Sequence, residues 1–149
     1  MKTKCKLVFL FLLITLTISA QKDGFGIGII LGDPTGLSAK KFVGNAEAFD
    51  AGAAWSFRDD AALHLHADYL YHDYSLIKVE QGKLPVYYGI GGRIKLEDDP
   101  LIGVRIPVGL AYELANSPID FFFEIVPILD LAPETEFDLN GAIGMRFYL

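Results

Sequence analysis

The sequence predicts an all-β protein: an eight-stranded antiparallel up-and-down transmembrane β-barrel, preceded by a cleavable signal peptide. Three observations predict it. Apolar residues alternate with small or polar ones through most of the chain, which is the period-two signature of strands. Clusters of Gly, Pro, Asn and Asp interrupt that alternation at short, regular intervals. The residues Met1 to Ala20 have the form of an export signal.

That signal is built from Lys2, Lys4 and Lys6, the apolar run Leu7 to Leu13, and small residues up to Ala20. It is too short for a membrane helix, and cleavage after Ala20 would leave residues 21–149 as a single barrel domain. The full chain has 149 residues, 52% hydrophobic, with a net charge of -6. All nineteen acids but only ten of the thirteen Lys and Arg lie beyond Ala20, so the exported part is more acidic still. Such a balance excludes nucleic acid as a partner, because that affinity comes from cations facing phosphates. The single Cys, Cys5, leaves with the signal and is not at its cleavage point, so neither disulfides, a cysteine metal site nor a lipid anchor is expected. No later stretch approaches the roughly 18 consecutive apolar residues of a membrane helix. A closed barrel remains the way such a chain could cross a bilayer.

Taken in order, the first strand carries Phe25, Ile27, Ile29 and Leu31 on one face. Asp33-Pro34-Thr35-Gly36 then suits a tight turn, and Leu37 to Val43 forms a weaker second strand. Phe49, Ala51, Ala53, Trp55 and Phe57 mark the third, and Leu63, Leu65, Ala67, Tyr69 and Tyr71 the fourth. After Asp73 to Lys83, the longest connection, come Val86, Tyr88, Ile90 and Ile94 in the fifth. The sixth has Val104, Ile106, Val108, Leu110 and Tyr112, and the seventh Phe121, Phe123, Ile125 and Leu129. The last, with Leu139, Ile143, Met145, Phe147 and Leu149, alternates to the final residue. Gly44-Asn45, Arg58 to Asp60, Glu97 to Pro100, Asn116 to Pro118 and Ala132 to Glu134 separate the others. Connections this short make neighbouring strands antiparallel. About sixteen residues per strand and turn leaves strands of roughly 9 to 11 residues, enough to cross a bilayer at a tilt.

The alternate face decides between two kinds of barrel. It holds many glycines together with Lys40, Asp50, His64, His66, Asp68, Arg93, Lys95, Arg105, Glu113, Asp120, Glu124, Asp130 and Arg146. A water-facing exterior would be richer in Lys, Glu and Thr and poorer in Gly, which weakens a strand. A membrane barrel places this set in the lumen, where small residues make room and opposite charges pair. Trp55, Phe57, Tyr69, Tyr71, Tyr112, Phe121, Phe123 and Phe147 lie near strand ends on the apolar face, as interfacial girdles do.

Several segments carry a family likeness: Gly32 to Ser38 with Lys40, His64 to Tyr69, Leu84 to Arg93, Gly103 to Leu110, and Leu129 to Pro133. In wording they resemble an uncharacterised family of bacterial outer-membrane β-barrel proteins, and in architecture the chain resembles the small eight-stranded OmpA/OmpX-type barrels. The likeness covers nearly all of residues 24–149. Gly141 to Leu149 is similar to the terminal recognition strand of such proteins, although those usually end in Phe and this chain ends Phe147-Tyr148-Leu149. The resemblance implies a bacterial outer-membrane location, lipid as neighbour and the barrel-assembly machinery as partner during biogenesis. It implies no activity and no cofactor.

Candidate chemistry is sparse. His64, His66, Asp68 and His72 share one parity on one strand, so His64, His66 and Asp68 are candidate metal ligands, with Glu124 or Asp130 completing the shell. None is assigned firmly, because three ligands from one straight strand converge poorly, and pairing with lumen charges is the expected arrangement. Pro107 and Pro127 are expected to form bulges in successive strands, or else a weakened seam through which a lipid-modifying enzyme could admit an acyl chain. Ser38, Ser56, Ser75 and Ser117 occur in no nucleophile-elbow pattern, and no helix follows the glycines of 24–32 or 89–92 to make a phosphate loop. The expected role is therefore structural or interaction-based and non-enzymatic. The alternatives are a secreted or periplasmic barrel holding a small apolar ligand, and the lipid-modifying enzyme.

Overall fold

The computed structural model describes residues 24–33, 35–56 and 62–149. The expected signal segment, Pro34 and the Arg58 to Asp60 turn lie outside the described residues. Among the described residues nine strand segments are present: β1 (Phe25–Asp33), β2 (Thr35–Phe42), β3 (Glu47–Ser56), β4 (Ala62–Asp73), β5 (Val86–Leu96), β6 (Leu101–Arg105), β7 (Val108–Glu113), β8 (Ile119–Ala132) and β9 (Glu136–Tyr148). Every pairing is antiparallel. β1 pairs with both β2 and β9, and β4 pairs with β5, so the sheet closes into a ring without a free edge.

The nine segments occupy eight positions around that ring, since β6 and β7 are two halves of one strand between β5 and β8. Ile106 and Pro107 separate the halves without changing register: Gly91 faces Arg105 on one side of the gap, and Tyr88 faces Val108 on the other. The expected pair of proline bulges is therefore corrected. Ile106 N–H still donates to Pro127 O at 3.0 Å, and Gly89 N–H to Pro107 O at 3.0 Å. What each proline removes is the returning bond, because it has no N–H. Pro107 takes one bond from the seam with β5, and Pro127 takes one from the seam between β6/β7 and β8, so neither seam loses both. Between β6 and β8 the register does shift once, at Ile102/Gly103. β8 and β9, at 14 and 13 residues, exceed the expected strand length, because β9 begins at Glu136 and pairs it with Asp130.

Polarity is inverted relative to a water-soluble barrel. The outward face carries Ile27, Ile29, Leu37, Phe49, Trp55, Tyr69, Ile90, Ile106, Phe121, Phe123, Ile125 and Ile143, all at least one-third exposed. Among the described residues thirteen buried side chains are polar or charged against twelve that are apolar, Pro85 and Pro107 included. Glycines make this filling possible. Gly52 lies directly across from His66, and a Cβ on it would come within 2.3 Å of the imidazole; Gly109 stands in the same relation to the Tyr87 ring, at 2.5 Å.

Candidate functional site: a charged lumen

The row of register partners Lys40, Asp50, Asp68, Gly91 and Arg105 runs across five neighbouring strands and buries the side chains of Lys40, Asp50, Asp68 and Arg105 in the interior. Asp50 and Asp68 face one another directly, an unfavourable juxtaposition that two arginines offset. Arg105 Nε donates to Asp68 Oδ1 at 3.0 Å and lies across β5 from it. Its Nη2 is 3.8 Å from Glu124 Oε1, and Tyr87 OH donates to Glu124 Oε2 at 2.9 Å.

Arg146 serves Asp50. It is fully buried, donates from Nη2 to Asp50 Oδ2 at 2.5 Å and from Nε to Ser38 Oγ at 2.9 Å, and lies 3.8 Å over the Phe122 ring. Hydrogen bonds to ionised groups are the stronger kind, and burial makes them directional constraints as well as attractions. His66 Nε2 is 3.8 Å from the other oxygen of Asp50.

The rim at which β1 begins is aromatic. Lys40 Nζ donates to His72 Nε2 at 2.9 Å, while His72 Nδ1 lies 2.9 Å from Ala46 O, so the imidazole is neutral, with its proton on Nδ1. The Lys40 ammonium also sits 4.8 Å from the Tyr87 ring centroid. The Asp73 to Lys83 connection folds back here: Lys83 and Glu113 exchange both backbone hydrogen bonds, and Tyr74 OH donates to Glu113 Oε1 at 2.9 Å. Burial, then the adjacent Glu113 carboxylate, push the Tyr74 phenol above its ordinary range and keep it a donor. At the opposite rim Arg93 grips Asp130 with Nε at 2.9 Å and Nη2 at 2.5 Å, and Nη2 reaches Asp138 at 3.1 Å. Lys95 pairs with Glu97, the more exposed of the two.

The candidate metal ligands separate. Asp50, His66 and Asp68 bring potential ligand atoms within 4.8 Å of one another, and His64, on the same strand as His66, is not in that group. Both carboxylates there are held by guanidinium groups, so the arrangement is the acceptor half of two ion pairs. Four further residues take part in these contacts: Phe122, Tyr148, whose OH donates to Asp120 Oδ2 at 2.7 Å with Arg146 Nη1 3.8 Å from the same oxygen, Asp138 and Tyr87. The first two share parity with Asp120 and Arg146, the signal by which they could have been found.

No protein-family model matches the chain, and no curated protein matches it. Among solved structures the chain is similar to the crystal structure of the N-terminal β-barrel domain of Pseudomonas aeruginosa OprF, with a TM-score of 0.63 and 13% identity over 85% of this chain and 98% of that one. At that identity the likeness speaks for the fold.

Proposed function

We propose that this chain is a small integral outer-membrane β-barrel, non-enzymatic, with a structural or interaction role and a lumen filled by paired side chains. The observation that carries the reading is the inverted polarity: among the described residues apolar side chains cover the outer wall and thirteen polar or charged ones are buried inside. In water that outer wall would be a continuous apolar surface far beyond what a soluble monomer exposes. Lipid removes that cost, and a ring without edges satisfies the backbone within it.

On this reading residues 1–20 are a signal cleaved after Ala20, residues 21–149 form the barrel, outer-membrane lipid surrounds it, and the barrel-assembly machinery inserts it. A soluble carrier of an apolar ligand finds no support, because such a ligand would meet Arg105, Arg146, Asp68 and Asp50 in the interior. Nor does a lateral lipid gate, since the two proline defects fall on different seams. Expression in a Gram-negative host tests the proposal. The protein should fractionate with outer membranes and migrate faster unheated than boiled on a gel; recovery as a detergent-free soluble monomer would overturn it.

A further inference from the structure

The outer wall is uneven. Across β2, β3, β4 and β5 the register partners Ala39, Ala51, Ala67 and Gly92 form one outward row of small residues. The wall of β8 and β9 carries Phe121, Phe123, Ile125, Ile143 and Phe147 instead. The small side leaves an apolar groove of ≈ 840 Å³ over β1 to β4, flanked by Ile27, Leu37 and Leu65, with Ala39, Ala51 and Ala53 along its floor.

Lys41 stands at one end of this groove. It is exposed on the outward face of β2, two residues beyond Ala39, and in register between Phe25 and Phe49. Phe49 packs edge-on against Tyr69 with ring centroids 5.3 Å apart, so the cation lies in an aromatic row of the kind that marks a membrane interface. Among the described strand residues it is the one Lys or Arg on the outward face, and none of the described carboxylates forms an ion pair with it. An interfacial ammonium reaches for the headgroup level, where the complementary charge is phosphate. A zwitterionic headgroup brings its own ammonium to that phosphate, whereas an anionic one leaves it to Lys41. At about 3.4 Å per residue, Leu37 lies about 14 Å from Lys41 along the strand, so an acyl chain below that phosphate runs the length of the groove.

We propose that this groove seats one anionic phospholipid, its phosphate on Lys41 and an acyl chain along Ala39, Ala51 and Ala53. The site presupposes the bilayer-embedded wall argued above and adds to it a lipid class and a place. Trp55, the single Trp of the chain, lies two residues beyond Ala53 on the same face of β3 and reports on the groove. The full chain is refolded into phosphatidylcholine vesicles in which about one-tenth of the lipid is brominated in its acyl chains, as phosphatidylglycerol in one series and phosphatidylcholine in the other. From the quenching of Trp55, phosphatidylglycerol should associate about fivefold more strongly, the gain of one Lys facing anionic lipid, and less so as salt rises. Lys41→Gln should abolish the preference. Ala51→Phe, which fills the groove and leaves Lys41 in place, should reduce it as well, and Ala39→Leu serves if Ala51→Phe loses its heat-modifiable mobility. Equal quenching by the two lipids in a heat-modifiable barrel would overturn this site alone. So would quenching by neither, as a second copy seated in the groove would produce, or a preference undiminished in the folded groove variants, which would mean attraction of charge without a seat. A chain that never becomes heat-modifiable in vesicles would overturn the membrane reading and the site with it.

Discussion

Arg146 and Arg93 are both interior arginines paired with aspartates at 2.5 Å, yet they stand in different media. Arg146 is sealed: its partners Asp50 and Asp120 are buried, and Phe122 covers its plane. Arg93 shares its charge between buried Asp130 and Asp138, whose side chain is 46% exposed at the rim. The difference teaches that one kind of contact does two jobs along the barrel axis. Where every partner is buried it neutralises charges that have nowhere else to go; where one partner is exposed it ties strand ends together beside water.

The largest expected effect comes from removing the sealed partner. Arg146→Met leaves Asp50 and Asp120 uncompensated and should cost about 3–5 kcal/mol, read as a fall in the urea midpoint of the barrel refolded in vesicles. The contrast also presupposes lipid outside the wall. Ile125→Arg, on the outward face of β8, should cost about 2–4 kcal/mol in bilayers; a wall facing water would tolerate it within about 0.5 kcal/mol. The smallest effect belongs to the rim. Arg93→Met should cost about 1.5–3 kcal/mol, because it strips one buried carboxylate, Asp130, where Arg146→Met strips two, and water reaches Asp138. Equal losses for Arg146→Met and Arg93→Met would break the comparison.

Which residues point inward was legible in the sequence, because strand geometry alternates sides with a period of two regardless of what the strand pairs with. That single fact yields the inverted wall, and it already grouped Asp50, Asp68, Arg105 and Arg146. Partnership was not legible. Whether Asp68 meets Arg105 or Arg93 depends on how far each strand is staggered around the ring, and stagger is a property of closure that no single segment encodes. His66 illustrates the gap: His64 and Asp68 flank it at equal spacing on one strand, yet the group that forms takes Asp68 and adds Asp50 from the neighbouring strand. Pro107 and Pro127 are a second case. Their missing N–H groups were evident, but which seam each one weakens follows from the pairing phase alone.

The closure of β9 onto β1 has a consequence for the order of events in the life of the chain. Arg146 lies on β9, and its partners Ser38 and Asp50 lie 108 and 96 residues earlier. Until the final strand arrives, an incomplete chain has two raw edges and a pair of facing aspartates lacking one of their two counter-ions. Sealing the wall and balancing the interior are thus one act, performed by the last strand of the ring to be synthesised.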